Sequence, residues 1–520
     1  MSKNHRSVIS VCLTVLCAGA LFFSAVAQPP QTQMRNITTM QLVKDMGIGI
    51  NLGNTFESAC NYHNQSDADR PAGPPNRSSC WIANNVNAFE TAWGSPAITR
   101  AMIQGYKASG FNTVRVPVAW SNLMTRDLTG SVGSLSAAAG SGDPFTISSA
   151  LMSRVQQVVD WVLQEDMYVI LNVHWDGGWW DYFPTDSAIC MQKFERIWTQ
   201  VGQHFQSYGD RLIFASLNEE GGWQRVWNRW SNAGDKQRSY NLLNAINQRF
   251  VTLIRAQSGN NPNRHLQVQG YYTDIDLTVD PMFRVPTDQR GTGNNARVAV
   301  SVHYYDPFSF THLERNEEWA QMTLTWGTAA ERNHLNAQMD KLKTRFVDNG
   351  VPVIIGEYGL AVHNPPRAQN QIRDYTLAVT RAMYERNMLP VLWDVQLNAG
   401  NGEILYYYNR HNAAFVDQQM VTGFRNITAP YTSVNHNNVS KSSPAVSPKV
   451  SLKGKTLNVS SPENAGIMQV RVVDVKGKVR ANFKSNGGGA NFSLSKMPAG
   501  RYFVEVKSGN FINTSSIVLK

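Results

Sequence analysis

Between Gly47 and Gln396 short apolar runs alternate with longer stretches of helical period. The runs are Gly47–Asn54, Phe111–Val118, Tyr168–Trp175, Leu212–Glu219, His265–Tyr272, Val298–Tyr305, Pro352–Gly359 and Leu389–Gln396. Each is aliphatic or β-branched at both parities, the pattern of strands covered on both faces in a parallel sheet. Apolar spacings of three and four predict helices over Pro96–Ser109, Leu151–Glu165, Ala188–Tyr208, Lys236–Gln257, Glu331–Asp348 and Ala368–Arg386. The fifth crossover, Thr273–Arg297, shows no long helix. Eight strands with intervening helices over about 400 residues predict an α/β fold, a (β/α)8 TIM barrel with enlarged loops. The rival is an open doubly wound sheet. No glycine-rich phosphate fingerprint opens any helix, which argues against that sheet and against a nucleotide.

The pattern changes near Thr432. Ser433–Pro448 is rich in Ser, Asn and Pro and reads as a linker. Beyond it, period-2 alternation over Lys455–Val459, Met468–Val475, Asn491–Leu494, Arg501–Val506 and Ser515–Leu519 predicts a small C-terminal β-sandwich of about 70 residues. All 14 Trp lie between Trp81 and Trp393, so this module has no aromatic platform for a sugar. At the other end, Lys3 and Arg6 precede an apolar run from Val8 to Phe23, followed by Ala25-Val26-Ala27 and Gln28. A basic start, a short apolar core and small residues before the cut predict an exported chain with a signal peptide over 1–27. The expected organisation is then a barrel domain over 28–432, a linker over 433–448 and a sandwich over 449–520.

Composition adds exclusions. Hydrophobic residues at 42% and charged residues at 17% are an ordinary globular mixture, unlike a collagen-like, coiled-coil or disordered chain. The net charge of +10 is carried mostly by the ends: two positives precede Val8, and Lys449 onward carries a net +9. Gln28–Pro448 is thus within one charge of neutral, whereas a nucleic-acid enzyme of this size carries its positive charge on the main domain. With the leader removed, three cysteines remain. Cys60 and Cys80 are the pair expected to close a loop in an oxidising compartment, leaving Cys190 unpaired.

The chemistry lies at the C-terminal ends of the strands, where barrels of this kind keep their active sites. Those ends carry Asn54, Arg115, His174 with Trp175, Asn218 with Glu219, His303 with Tyr305, Glu357, and Trp393. Glu219 and Glu357 close the fourth and seventh strands, which face each other across the mouth once the sheet closes. Glycoside hydrolysis needs such a pair, one carboxylic acid to protonate the leaving oxygen and one carboxylate to attack or stabilise the sugar. Taken singly, each glutamate reads as an ion-paired strand end; the matched pair within a polar set reverses that reading.

The segments INLGNTFE (Ile50–Glu57), FNTVRVPVAW (Phe111–Trp120), ILNVHW (Ile170–Trp175), SLNE (Ser216–Glu219), VHYYDP (Val302–Pro307), IIGEYG (Ile354–Gly359) and LWD (Leu392–Asp394) together resemble family 5 glycoside hydrolases. These form the cellulase family of the retaining 4/7 clan. The resemblance implies a retaining endo-β-glycanase, of endo-β-1,4-glucanase type, that needs no metal or other cofactor. It implies Glu219 as acid/base, Glu357 as nucleophile, Asn218 on the sugar 2-hydroxyl, and Arg115 holding the nucleophile's pKa down. It also implies Tyr305 on the nucleophile, His303 beside the acid/base, His174 in the same subsite and Trp393 beneath the sugar. Glu220 adjoins the acid/base, but its opposite parity and the family pattern favour Glu219.

The residues after His174 depart from the family pattern, which leaves xyloglucan, mixed-linkage glucan, mannan and xylan as alternative polymers. Trp175, Trp179, Trp180, Trp223, Trp227, Trp230, Trp319 and Trp326 fall in or near predicted loops and suggest several subsites, with Trp179 or Trp180 as a remote platform. A metal-dependent hydrolase is disfavoured because no H-x-H or further clustered ligand accompanies His174 and His303. A non-catalytic sugar-binding barrel would have lost a glutamate that is present here. MPAGRYFVEV (Met497–Val506) resembles the C-terminal sorting domains of the bacterial type IX secretion route. The expected partners are therefore a β-glucan polysaccharide and secretion or surface-attachment machinery, for a monomeric protein that is secreted or held at the cell surface.

Overall fold

All eight apolar runs form strands, each shorter than the run that encodes it: β1 Gly49–Asn51, β2 Thr113–Val116, β3 Tyr168–Asn172, β4 Leu212–Ala215, β5 Leu266–Gln269, β6 Val298–Tyr304, β7 Val353–Tyr358 and β8 Leu389–Leu392. They pair in parallel and close, β1 bonding to both β2 and β8. The computed structural model describes residues 33–58, 86–361, 367–396, 406–432, 449–460, 467–474, 478–486, 489–508 and 511–519. The leader over 1–27, Cys60 and Cys80, and the linker over 433–448 lie outside the described residues. Cys190 is a buried free thiol.

The predicted helices appear as α2 Arg100–Ala108, α3 Ser149–Gln164, α4 Phe183–His204, α5 Lys236–Arg255, α6 Ala329–Arg345 and α7 Gln369–Tyr384. Among the described residues, two further helices of eight residues or more went unpredicted, α1 Thr39–Met46 before the barrel and α8 Gln418–Thr432 after it. Between β5 and β6 the only α-helix is the four-residue turn Ile275–Thr278, in line with the weak pattern there.

The barrel interior follows the period of two. Tyr168, Ile170, Ile213, Ala215, Ala299, Ile354, Leu389 and Val391 form one buried cluster with Leu42, Val43 and Met46 of α1. Helix α1 therefore plugs the bottom of the barrel, its start fixed by Thr38, whose hydroxyl accepts from the Gln41 N–H while the Gln41 side chain accepts from the Thr38 N–H. Continuing the inward parity upward takes β3 to Asn172 and His174, β6 to Ser301 and His303, and β8 to Trp393. The apolar lower layers thus give way to polar side chains at the open mouth.

One irregularity sits in β7. Val302 pairs with Ile355 but His303 pairs with Glu357, so Gly356 is an extra residue, and the register against β8 shifts at the same place. Plain alternation would send Glu357 outward to the helices; the bulge turns it inward beside His303. A Cβ at Gly356 would meet Ser301 Oγ at 2.9 Å and His303 Nε2 at 3.1 Å, so glycine is the residue that fits.

The chain divides into two compact units, ending and beginning at Val434 and Asn435. The second unit is all β: β9 Lys449–Lys453, β10 Thr456–Ser460, β11 Ile467–Asp474, β12 Val479–Asn486, β13 Gly489–Ser493, β14 Gly500–Ser508 and β15 Phe511–Leu519. Strands β9-β10-β13 make one antiparallel sheet and β12-β11-β14-β15 another. Their inner faces contribute Leu457, Val459, Val470, Val472, Val504, Val506 and Leu519 to a separate apolar core. Strands β9 and β12 are additions to the five segments expected.

Candidate active site

Arg115 organises the mouth. It is 1% exposed at the inward end of β2, where a lone cation would be costly, and it is held by acceptors on three other strand ends. One terminal nitrogen donates to Glu357 Oε1 at 2.8 Å and to Asn51 Oδ1 at 2.9 Å; the other donates to Asn218 Oδ1 at 2.7 Å. Asn51 in turn donates to the Gly356 carbonyl at 3.0 Å, the carbonyl at the bulge. The Tyr305 hydroxyl donates to the other Glu357 oxygen at 3.1 Å.

Glu219 stands opposite. Its side chain keeps 47% of its surface accessible, and its Oε1 shares a 2.6 Å hydrogen bond with His303 Nδ1, which lies 3.5 Å from Glu357 Oε2. One carboxylate oxygen of Glu219, one ring nitrogen of His303 and one carboxylate oxygen of Glu357 all lie within 4.8 Å of one another. The Thr273 hydroxyl, which donates to the Tyr272 carbonyl at 2.8 Å, helps to lower the Glu219 carboxyl.

The surroundings treat the two acids differently. Burial pushes both carboxyls above the ordinary range, most simply because charge is poorly solvated there. At Glu357 the push is opposed by His303 and by the charge and direct hydrogen bond of Arg115 and is reinforced by the Glu219 charge; at Glu219 it is opposed by Arg115 at a distance and by Thr273. Arg115 does lower the Glu357 carboxyl, by its charge and by its hydrogen bond, but burial outweighs it and leaves the net shift upward. Burial also lowers His303 to about 4, with Glu357 opposing and Arg115 reinforcing, so the imidazole is neutral above that pH.

The remaining candidates separate into two groups. His174 and Trp393, both nearly buried, stack with ring centroids 5.5 Å apart and planes 5° from parallel. The Asn172 amide donates to His174 Nδ1 at 3.2 Å, and burial holds this histidine well below its ordinary range. Asn54 has φ +54° and, with Thr55, donates its N–H to Glu57. Trp175 is half-buried, 6.3 Å from Trp93.

Trp179 corrects an expectation. Its side chain is completely buried, its indole N–H donates to Asp176 at 3.0 Å, and Lys193 lies 5.0 Å over its ring. No face is open to a sugar. Trp180 is 7% exposed and edge-on to Trp179, and Trp223, Trp227 and Trp326 are buried as well; among the described residues the exposed indoles are Trp230 and Trp319.

Sequence reasoning passed over several residues that hold the site. Asn51 carried a usable signal, a polar residue at inward parity in an apolar strand. Glu57 is buried and raised to about 7 by burial, against its backbone hydrogen bonds. Arg410 is buried too, donating to the carbonyls of Gly53 at 2.8 Å and Asp394 at 2.7 Å, which ties the ends of β1 and β8 together. Nothing local in the sequence marks an arginine so far along the chain as their clamp. Glu220 is buried with its Oε2 accepting from the Asn218 N–H at 2.6 Å, facing away from the Glu219–His303 pair.

The sequence pattern of the cellulase (glycosyl hydrolase family 5) family matches residues 75–399, well over half of the chain. The chain belongs to that family. This glycoside hydrolase also carries, over residues 453–520, a match to the secretion system C-terminal sorting domain. Among similar proteins, the family 5 enzyme is 31% identical over 444 residues to endoglucanase A of Paenibacillus barcinonensis, covering 81% of this chain and 98% of that one. It is 32% identical over 412 residues to the xyloglucan-specific endo-beta-1,4-glucanase BoGH5A of Bacteroides ovatus, covering 75% and 71%. A solved broad-specificity endoglucanase from an uncultured bovine rumen ciliate superposes with a TM-score of 0.59 at 29% identity, covering 76% and 98%.

Proposed function

We propose that the protein is an exported, retaining endo-β-1,4-glucanase. The observation that carries the mechanism is the approach of Glu219 and Glu357 to within 4.8 Å. Retaining enzymes hold their carboxyl groups ~5–5.5 Å apart, whereas inverting enzymes leave ~6.5–9.5 Å for a water. In the first step a Glu357 oxygen attacks the anomeric carbon while Glu219 gives its proton to the departing glycosidic oxygen. In the second, Glu219 takes a proton from water, which attacks the same carbon and frees Glu357. Neutral His303 bonds to Glu219 without competing for charge, and Tyr305 and Arg115 steady Glu357 in its ionised form. Asn218, fixed by Arg115, faces the sugar 2-hydroxyl; His174, Trp393, Asn54 and Trp175 line the glycone side.

Cellulose-type β-1,4-glucan is the substrate we favour. Xyloglucan is the second, because a xyloglucan-specific enzyme stands among the relatives at a similar identity. The leader over 1–27, a catalytic domain over 28–432, a linker over 433–448 and a sorting module over 449–520 complete the reading. It gives a monomer that is secreted or held at the surface through its tail.

The test is product profiling on carboxymethylcellulose, xyloglucan, mixed-linkage glucan, mannan and xylan, with Glu219→Gln and Glu357→Gln as controls. Retention is read by proton NMR of the first anomer released; inverted product refutes the mechanism. Since a histidine and two carboxylates so close together can also grip a cation, exhaustive chelation belongs in the set, and full activity is expected to survive it.

A further inference from the structure

The exposed indole of Trp230 belongs to a built surface rather than a loose loop. Residues Trp227–Asn228 and Ala233–Gly234 pair as a short hairpin, and Trp230 lies at its tip. Asn228 Oδ1 accepts the Trp230 and Ser231 N–H groups at 2.9 and 3.2 Å, and the Trp227 indole donates to Asn232 Oδ1 at 3.1 Å. The Trp230 side chain is nevertheless 75% exposed.

Arg229 connects this tip to the next loop. Its guanidinium carbon sits 4.2 Å from the Trp230 ring centre and 5.1 Å from that of Tyr272, itself 43% exposed. Asp274 accepts from Arg229 at 3.0 Å, so its charge is already answered and the guanidinium acts as a spacer that orients two rings. Tyr272 is held against strain: it and Thr273 have φ of +52° and +47°, a region β-branched and bulky side chains rarely occupy. Its N–H donates to the Glu220 carbonyl at 2.9 Å, and Gly222 leaves room for its ring, which a Cβ there would meet at 2.5 Å. Together with Gln224 these residues line a shallow hollow.

The hollow's position says which part of a substrate it meets. The backbone bond from Tyr272 to Glu220 fixes the hollow beside Glu219, the residue before it in the chain. The His174–Trp393 stack follows β3 and β8, on the other flank. A proton donor stands on the leaving-group side of the bond it breaks. We propose that Trp230, Arg229 and Tyr272 form a binding site for the β-linked pyranose rings on the reducing-end side of the cleavage point. The rings lie on the indole face, with Gln224 within reach of a hydroxyl. This rests on Glu219 being the general acid, as proposed above.

The experiment compares kcat/KM on cellohexaose with that on an aryl cellobioside, which has no sugar beyond the bond cleaved. In Trp230→Ala the ratio of the two falls about tenfold, and Trp230→Phe, which keeps a smaller ring, falls in between. Cleavage of reducing-end-labelled cellohexaose shifts towards shorter labelled products. An unchanged ratio and pattern in Trp230→Ala overturns the proposal, as does a fall seen with Trp319→Ala but not with Trp230→Ala. Because Trp230 packs so little, an unchanged melting temperature is expected and separates binding from folding. Failure of the underlying reading looks different: wild type cleaves neither substrate, or Glu219→Gln is undiminished on cellohexaose.

Discussion

The two flanks of the barrel mouth are built in opposite ways. On the β8–β1–β2–β3 flank every candidate group is interlocked: Arg410 clamps Gly53 to Asp394, Arg115 grips Asn51, and the His174 and Trp393 rings lie face to face. On the β4–β5–β6 flank two indoles stand out in solvent, Trp230 at 75% and Trp319 at 68% exposed, on loops whose length the barrel does not fix. Packed groups hold the reacting sugar in one pose, which is where positional error costs rate. Exposed groups can add contacts to a chain of variable length without disturbing that pose.

The sharpest break of this contrast is between the acids. Glu357→Gln is expected to lose at least about 10⁴-fold on every substrate. Glu219→Gln loses about 10²–10⁴-fold on glucan but far less on an aryl cellobioside whose leaving group needs no proton. Arg115→Ala is expected to cost about 10²-fold, and the acid limb of the kcat/KM profile moves to higher pH, because the ionised form of Glu357 loses its cation. Trp393→Ala is expected to lower kcat/KM about tenfold on short and long substrates alike, unlike a change at Trp230. If Trp393→Ala spared the aryl cellobioside, the packed flank would not be the glycone side.

The smallest effect on rate is expected from Glu57→Gln, and its readout is stability. Folding raises this carboxyl to about 7, so the native state holds the proton more tightly than the unfolded chain does. That contribution is complete below about pH 4.3 and drains away as pH rises towards 7, by up to about 3 kcal/mol. The glutamine variant lacks the loss, so its melting temperature relative to wild type should rise from pH 4 to pH 7. A constant difference across that range would show that folding does not raise the Glu57 carboxyl.

The barrel was legible because strands buried on both faces have no polar phase to confuse, and the polar residues that break the pattern, such as Arg115 and His303, sit where the strands end. What could not be read depends on distant partners. Whether a loop tryptophan meets water is decided by whether something like Asp176 waits for its N–H, so Trp179 and Trp230 look alike in sequence and have opposite fates. Helix α1 is only eight residues long, with its clearest mark in the Thr38–Gln41 cap. Strands β9 and β12 are rich in Lys, Arg and Asn, which hides their alternation. The registers of β6 and β7 agree up to Val302 and Ile355, and no spacing rule reveals the extra residue that follows.

That extra residue does more than turn one carboxylate. The Gly356 carbonyl takes the Asn51 amide, Asn51 takes the Arg115 guanidinium, and Arg115 takes Glu357, the very next residue along the chain. The linkage returns to its own starting point, a closed circuit with no slack end. A displacement of a few tenths of an ångström at any station is delivered to the neighbouring ones instead of dissipating into solvent. The nucleophile's aim is thus a property of the whole loop, and the backbone defect is the joint where it closes.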